Sequence, residues 1–205
     1  LMARYLSGYW NQIDKNKLVS QLKKMKNEYG AFIIKADAVR DQLTPIIISD
    51  IVESGFEIED VMIHDRICPE QVDKIWTRNK GQEHVFKSLN HNFSLGQAVT
   101  VIVSQNGIKE QYPHETVHDS VVRVKGKPGI GGLRDKYQVQ TRENLIAQGY
   151  TGDELLFKTG YTRIHGADSD EEFEYLTQAL YTKEELHRLS QENPRLYQHL
   201  QNYVK

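Results

Sequence analysis

The chain has 205 residues, enough for one domain with extensions or two small ones, and for a real hydrophobic core. Twenty-six Lys and Arg stand against 28 Asp and Glu, and the net charge of −2 argues against broad, non-specific nucleic-acid binding. The single cysteine, Cys68, excludes an intramolecular disulfide and a multi-cysteine metal site, and fits a reducing, cytoplasmic setting.

No apolar run approaches the roughly 18 residues a bilayer span needs, and no signal-peptide core stands at the start, so no membrane partner is expected. Leu1 before Met2 reads as an added residue or as the edge of a segment cut from a longer protein. Residues 10–28 predict a polar helix with Ile13, Leu18, Leu22 and Met25 as a sparse apolar stripe, ending near Gly30. AFIIKAD, 31–37, predicts a buried strand. LTPIIISDIVESGF predicts a helix with Pro45 in its first turn and Gly55 past its end. A second strand is expected over 56–66, then two short helices in CPEQVDKIW and HVFKSLNHNF, and a third strand in QAVTVIVS, 97–104. Residues 105–160 predict a helix around 116–123, a glycine-rich loop and a stretch of weak periodicity. In TRIHGADSDEEFEYL, 162–176, a strand ends near Ile164, and His165 and Gly166 fall in the turn after it. Ser169 and Glu172 then form a capping-box pattern, with further acids suited to a helix start. Two helices, TKEELHRLSQ and PRLYQHLQNYV, follow, with Pro194 between them.

The order β-α-β, helices, β, helix, loop, β-α predicts an α+β fold. Two split βαβ units give a ferredoxin-like βαββαβ sandwich, an antiparallel sheet with helices on one face, plus extra N- and C-terminal helices.

Three features could carry chemistry. Lys35 ends the first strand, either as a surface lysine or as a compact cation for a phosphate. In VRVKGKPGIGGLRDKY, 122–137, glycines surround Pro128 and cations flank them, the composition of either a solvated loop or an anion cradle. The Walker spacing is absent. Trp76 and Phe86 sit on the short helices, as core residues or as platforms on which a base could stack.

Together these stretches resemble nucleoside diphosphate kinases. The family pattern V-K-P-D-[GA]-V appears as Ile34-Lys35-Ala36-Asp37-Ala38-Val39. The K-P-G-x-I-R-G-D-[FY] loop is met by Lys127-Pro128-Gly129 and Leu133-Arg134-Asp135-Lys136-Tyr137, and R-N-x-[IV]-H-G-S-D-S, from its second position, by Thr162-Arg163-Ile164-His165-Gly166-Ala167-Asp168-Ser169. The resemblance runs over residues 31–180 with interruptions and implies the ferredoxin-like fold already read from element order. It assigns residues 31–181 to the kinase-like domain, with an insertion over about 137–157, and leaves 1–30 and 182–205 as N- and C-terminal helical extensions.

What the resemblance implies chemically is ping-pong phosphoryl transfer through a phosphohistidine on His165. Lys35 would hold the moving phosphoryl group and Arg134 would balance charge beside it. Trp76 would lie next to the histidine, Phe86 near the base, Thr162 at the sugar, and Arg123 would be a second phosphate arginine. Mg²⁺ would come with the nucleotide, without a dedicated protein site. Nucleoside tri- and diphosphates are the implied partners, and a homo-oligomer, dimer or higher, the implied assembly. Several supports differ from the pattern: Ala36 replaces a proline, Thr162 an asparagine, Ala167 a serine, and Leu176 a glutamate that orients the imidazole. Two readings stand: a phosphotransferase, and a nucleotide-binding regulatory module with this fold and little turnover.

Overall fold

The computed structural model describes residues 29–105, 111–137 and 140–204. The helix expected over 10–28 lies outside these. Strands β1 (Tyr29–Ile34), β2 (Glu57–His64), β3 (Ala98–Ser104) and β4 (Ile164–Gly166) form one sheet in the order β2-β3-β1-β4. Every neighbouring pair is antiparallel. This is the ferredoxin-like order expected from the sequence.

Helices cover both faces of the sheet, not one. The cause is written in β1 and β3, YGAFII and AVTVIVS, which are apolar on alternate and intervening positions alike and are buried throughout. Tyr29, Ala31 and Ile33 join one core cluster; Phe32 and Ile34 join the other. The second cluster is closed by α2 (Thr44–Glu53) and α5 (Val117–Lys125). In α2, Pro45 opens the helix, and Ile47 and Ile51, one turn apart, point inward. In α5, Val117, Val121 and Val124 do the same, and Thr116 caps the start reciprocally with Asp119.

The first cluster gathers α3 (Pro69–Ile75), α4 (Glu83–Ser94), α9 (Asp170–Leu180), α10 (Lys183–Glu192) and α11 (Pro194–Leu200). The last two are part of this core: Leu189, Leu196 and Leu200 are all buried within it. Each such side chain contributes about 1.5–3 kcal/mol on burial. A polar clamp fixes their position, as the buried Asp60 of β2 accepts from Tyr181 at 2.7 Å and from Arg188 at 2.9 Å.

Four further short α-helices stand among the described residues: α1 (Ala36–Arg40), α6 (Leu133–Tyr137), α7 (Arg142–Ala147) and α8 (Gly152–Thr159). The last two form a hairpin, and α8 docks on α4. Phe157 stacks on His91 with ring centroids 3.8 Å apart, and Lys87 pairs with Asp153 at 2.6 Å. Gly160 ends the hairpin against Ser88, whose hydroxyl a methyl at this position would strike.

Candidate active site

His165 is the middle residue of β4, in register with Ile33 of β1. The sequence had placed it in the following turn; pairing with β1 continues through Ala167, whose N–H donates to the Ala31 carbonyl, so the strand ends later. The ring lies on the same sheet face as Ile33 and packs against Trp76, centroids 4.8 Å apart. It is 9% exposed. Burial first, and then the charges of Arg134, Lys125 and Lys35, hold its pKa well below the ordinary value. At neutral pH the imidazole is therefore uncharged, with a lone pair free on one nitrogen.

Lys35 is the residue that caps α1, directly after β1, and its side chain is buried. Its ammonium donates to the Gly160 carbonyl at 2.6 Å and to the Thr162 hydroxyl at 3.2 Å. Burial pushes its pKa down to about 8, against the pull of Asp37, with Arg134 and Arg163 adding to the fall. Thr162 thus holds the lysine in this structure.

Arg134, on α6, reaches back to β4 and donates from Nε to the Ile164 carbonyl at 2.9 Å. Burial lowers its pKa, yet a guanidinium stays charged at any ordinary pH. Trp76 also touches Phe93, at 5.7 Å, so the wall behind His165 is continuous with the core. Phe86 is half-buried against the same cluster. Arg123 is held by the residues that precede its own helix. It binds Glu115 at 3.1 Å, and its guanidinium lies 3.9 Å from the centroid of Tyr112.

Lys125 lies two residues further along α5. Its side chain is buried, its ammonium is paired with Asp168 and lies 3.4 Å from the Gly166 carbonyl. A cleft of about 480 Å³ opens here, lined by Arg123, Lys125, Lys127, Arg134 and Asp168 and by Gly131. The glycine loop is pinched at its base: Lys127 N–H donates to the Gly131 carbonyl at 3.0 Å, and Gly126 and Gly132 touch backbone to backbone. A methyl at Gly126, where φ is 66°, would collide with the Gly131 oxygen.

A buried ion network sets the loop that carries Thr162. Arg163, in the left-handed region at φ 65°, donates to the Asp37 carbonyl at 2.9 Å and to the Asp41 carboxylate at 2.6 Å. Its own carbonyl accepts from the Lys35 N–H at 2.8 Å. Both Asp37 and Arg163 lie inside the motifs quoted above, and that was the signal for their role.

No hydrogen bond reaches the His165 ring from the described residues. Ala167 and Leu176 are buried and apolar. Glu172 accepts from the Asp168 N–H at 2.7 Å and Glu174 from Gln178 at 2.9 Å, so neither carboxylate orients the imidazole.

Sheet order, helices on both faces and a histidine on the outer strand define an α+β fold with a cation-lined cleft. No family model and no curated protein matches the sequence. Solved structures do. A nucleoside diphosphate kinase from Borrelia burgdorferi, a transition-state mimic with bound vanadate and ADP, aligns at TM-score 0.57 and 16% identity, over 77% of this chain and 89% of that one. The nucleoside diphosphate kinase of Aquifex aeolicus aligns at TM-score 0.51 and 18% identity, over 77% of this chain and 97% of the other. That of Encephalitozoon cuniculi aligns at TM-score 0.51 and 16% identity, over 75% and 88%. The chain has the fold of nucleoside diphosphate kinases. Among the described residues, no helix is long and apolar enough to cross a membrane.

Proposed function

We propose that the chain is a phosphotransferase that moves the γ-phosphate of a nucleoside triphosphate to a nucleoside diphosphate, or a related acceptor, through a phosphohistidine on His165. The observation that carries this reading is a buried, neutral imidazole whose pKa is lowered first by burial and then by the charges of three cations, Arg134, Lys125 and Lys35. A histidine serving only to fill a core gains nothing from that company.

In the first half-reaction a ring nitrogen of His165 attacks the γ-phosphorus. The N–P bond forms as the bond to the β–γ bridging oxygen breaks, and the diphosphate leaves with the electron pair. The second half runs in reverse with a new diphosphate. Lys35 would exchange the Gly160 carbonyl and the Thr162 hydroxyl for phosphoryl oxygens, and Arg134 would face the developing charge. Trp76 excludes water from one side of the ring. Thr162 would meet the sugar, Phe86 the base, and Arg123, which lines the cleft and is paired with Glu115, a phosphate. Magnesium fits as an ion carried on the nucleotide's phosphate oxygens, where it would neutralise charge. The described residues offer no group of three His, Cys, Asp or Glu side chains to hold one, and Asp168 is the carboxylate at the cleft.

The second reading, a nucleotide-binding module with little turnover, draws support from the ring of His165, which no hydrogen bond orients. One experiment separates the two. The protein is incubated with Mg²⁺ and γ-labelled ATP or GTP. Acid-labile, base-stable label on His165 that passes to nucleoside diphosphates is expected. Bound nucleotide with no label would overturn the transferase and leave the module.

A further inference from the structure

Lys125 stands outside the motifs that single out Lys35 and Arg134, yet three features bring it to the reacting histidine. It is the last residue of α5, and Gly166 lets that helix close on β4: a Cβ there would lie 2.6 Å from Val121 and 3.3 Å from the Lys125 chain. The lysine stem therefore runs against Gly166, the residue after His165, and puts its ammonium 3.4 Å from the Gly166 carbonyl. The head opens into the same cleft as Arg134.

Its counter-charge is the second observation. Asp168, the partner, is 42% exposed while the lysine side chain is 6% exposed. An ammonium held this far from water needs an anion, but the carboxylate does not need the ammonium, because water solvates it. Such a pair gives up its exposed member readily once a stronger anion arrives. Resting on the transferase reading above, we propose that Lys125 is a further catalytic residue, which leaves Asp168 and binds the phosphoryl oxygens as they reach His165. The electrostatics agree: among the charges acting on the imidazole, Lys125 outranks Lys35.

The test is single-turnover labelling of His165 from Mg²⁺ and γ-labelled ATP in the parent chain, Lys125→Met, Lys125→Arg and Asp168→Asn. Calorimetric Mg²⁺–ADP affinity and near-ultraviolet circular dichroism are measured alongside. Lys125→Met should label about 10²–10³-fold more slowly, the loss expected for one preorganised donor to a developing oxyanion. Its ADP affinity should stay within about threefold, since the contact is made to the transferred group. Lys125→Arg should recover at least about tenfold over Met, and Asp168→Asn, which removes the competing anion, should label about threefold faster than the parent. Lys125→Met labelling within about threefold of a labelled parent overturns the assignment alone. An unlabelled parent overturns the transferase reading and the assignment with it. Should Lys125→Met fail to fold, Asp168→Asn decides: labelling slower than the parent means the ion pair is structural and overturns the proposal.

Discussion

Lys35→Met should make the protein more stable while abolishing labelling of His165. A fall in the lysine pKa from 10.5 to about 8 means that holding the ammonium in the fold costs about 3 kcal/mol at neutral pH, at ~1.4 kcal/mol per tenfold. Methionine has a similar stem and no charge, so the cost disappears. Against this, the Gly160 carbonyl and the Thr162 hydroxyl lose their partner, at about 1 kcal/mol each or less where water reaches them. The net gain is about 1–2 kcal/mol, or about 3–6 °C in Tm for a chain of this size. The pH dependence gives the sharper test. Because the folded pKa lies below the unfolded one, the penalty is full below pH 8 and vanishes as pH rises towards 10.5. The parent should therefore gain about 2 kcal/mol on Lys35→Met between pH 7 and pH 9.5. Urea denaturation of both proteins at the two pH values measures this. A pH-independent difference, or a Met variant that is less stable at pH 7, refutes the buried-cation argument.

His199 sits among Tyr29, Phe173 and Tyr203, faces His118 and Asp170, and has no partner for Nε2; burial takes its pKa down to about 4. Protonation in the unfolded chain alone should cost the parent up to about 3 kcal/mol as pH falls from 6.5 to 4, and His199→Phe should flatten that acid limb in thermal scans. Gly126→Ala should lose more than about 2 kcal/mol in urea denaturation, through a forced left-handed backbone and the collision with the Gly131 oxygen. Arg163→Met should cost about 3–5 kcal/mol by stranding the fully buried Asp37, and adding Asp37→Asn should restore part of it. Gly160→Ala should undock the inserted hairpin by collision with Ser88, and Ser88→Gly should rescue it, read as protection of Leu155 and Leu156 amides from hydrogen exchange.

Residues 29–104 were the most legible part of the chain. Pro45 and Gly55 bracket α2 as their chemistry demands, and β1 and β3 carry long apolar runs that no other element type of that length accommodates. Those runs also held the information that both faces are covered, which element order alone does not contain. The stretch around 133–159 resisted because its helices have five to eight residues, too few turns for an apolar stripe to repeat. In the candidate site, spacing singled out His165, Lys35, Arg134 and Arg123 and passed over Lys125, which the fold buries beside Gly166. Both Arg123 and Lys125 line the cleft, and sequence does not say which of them is held by Glu115 and which by Asp168. The Asp37–Arg163 bond joins positions 126 apart, a contact that only the folded sheet creates.

Mounting the histidine inside a strand also decides how it unfolds. Side chains on loops come loose through local openings, at little free energy, long before the fold fails. The His165 amide belongs to the ladder that ties β4 to β1, and β1 is buried along its whole length. Hydrogen exchange at His165 should therefore be as slow as at Ile33, and the chain should have no warm intermediate in which the sheet survives and the backbone of His165 has already let go.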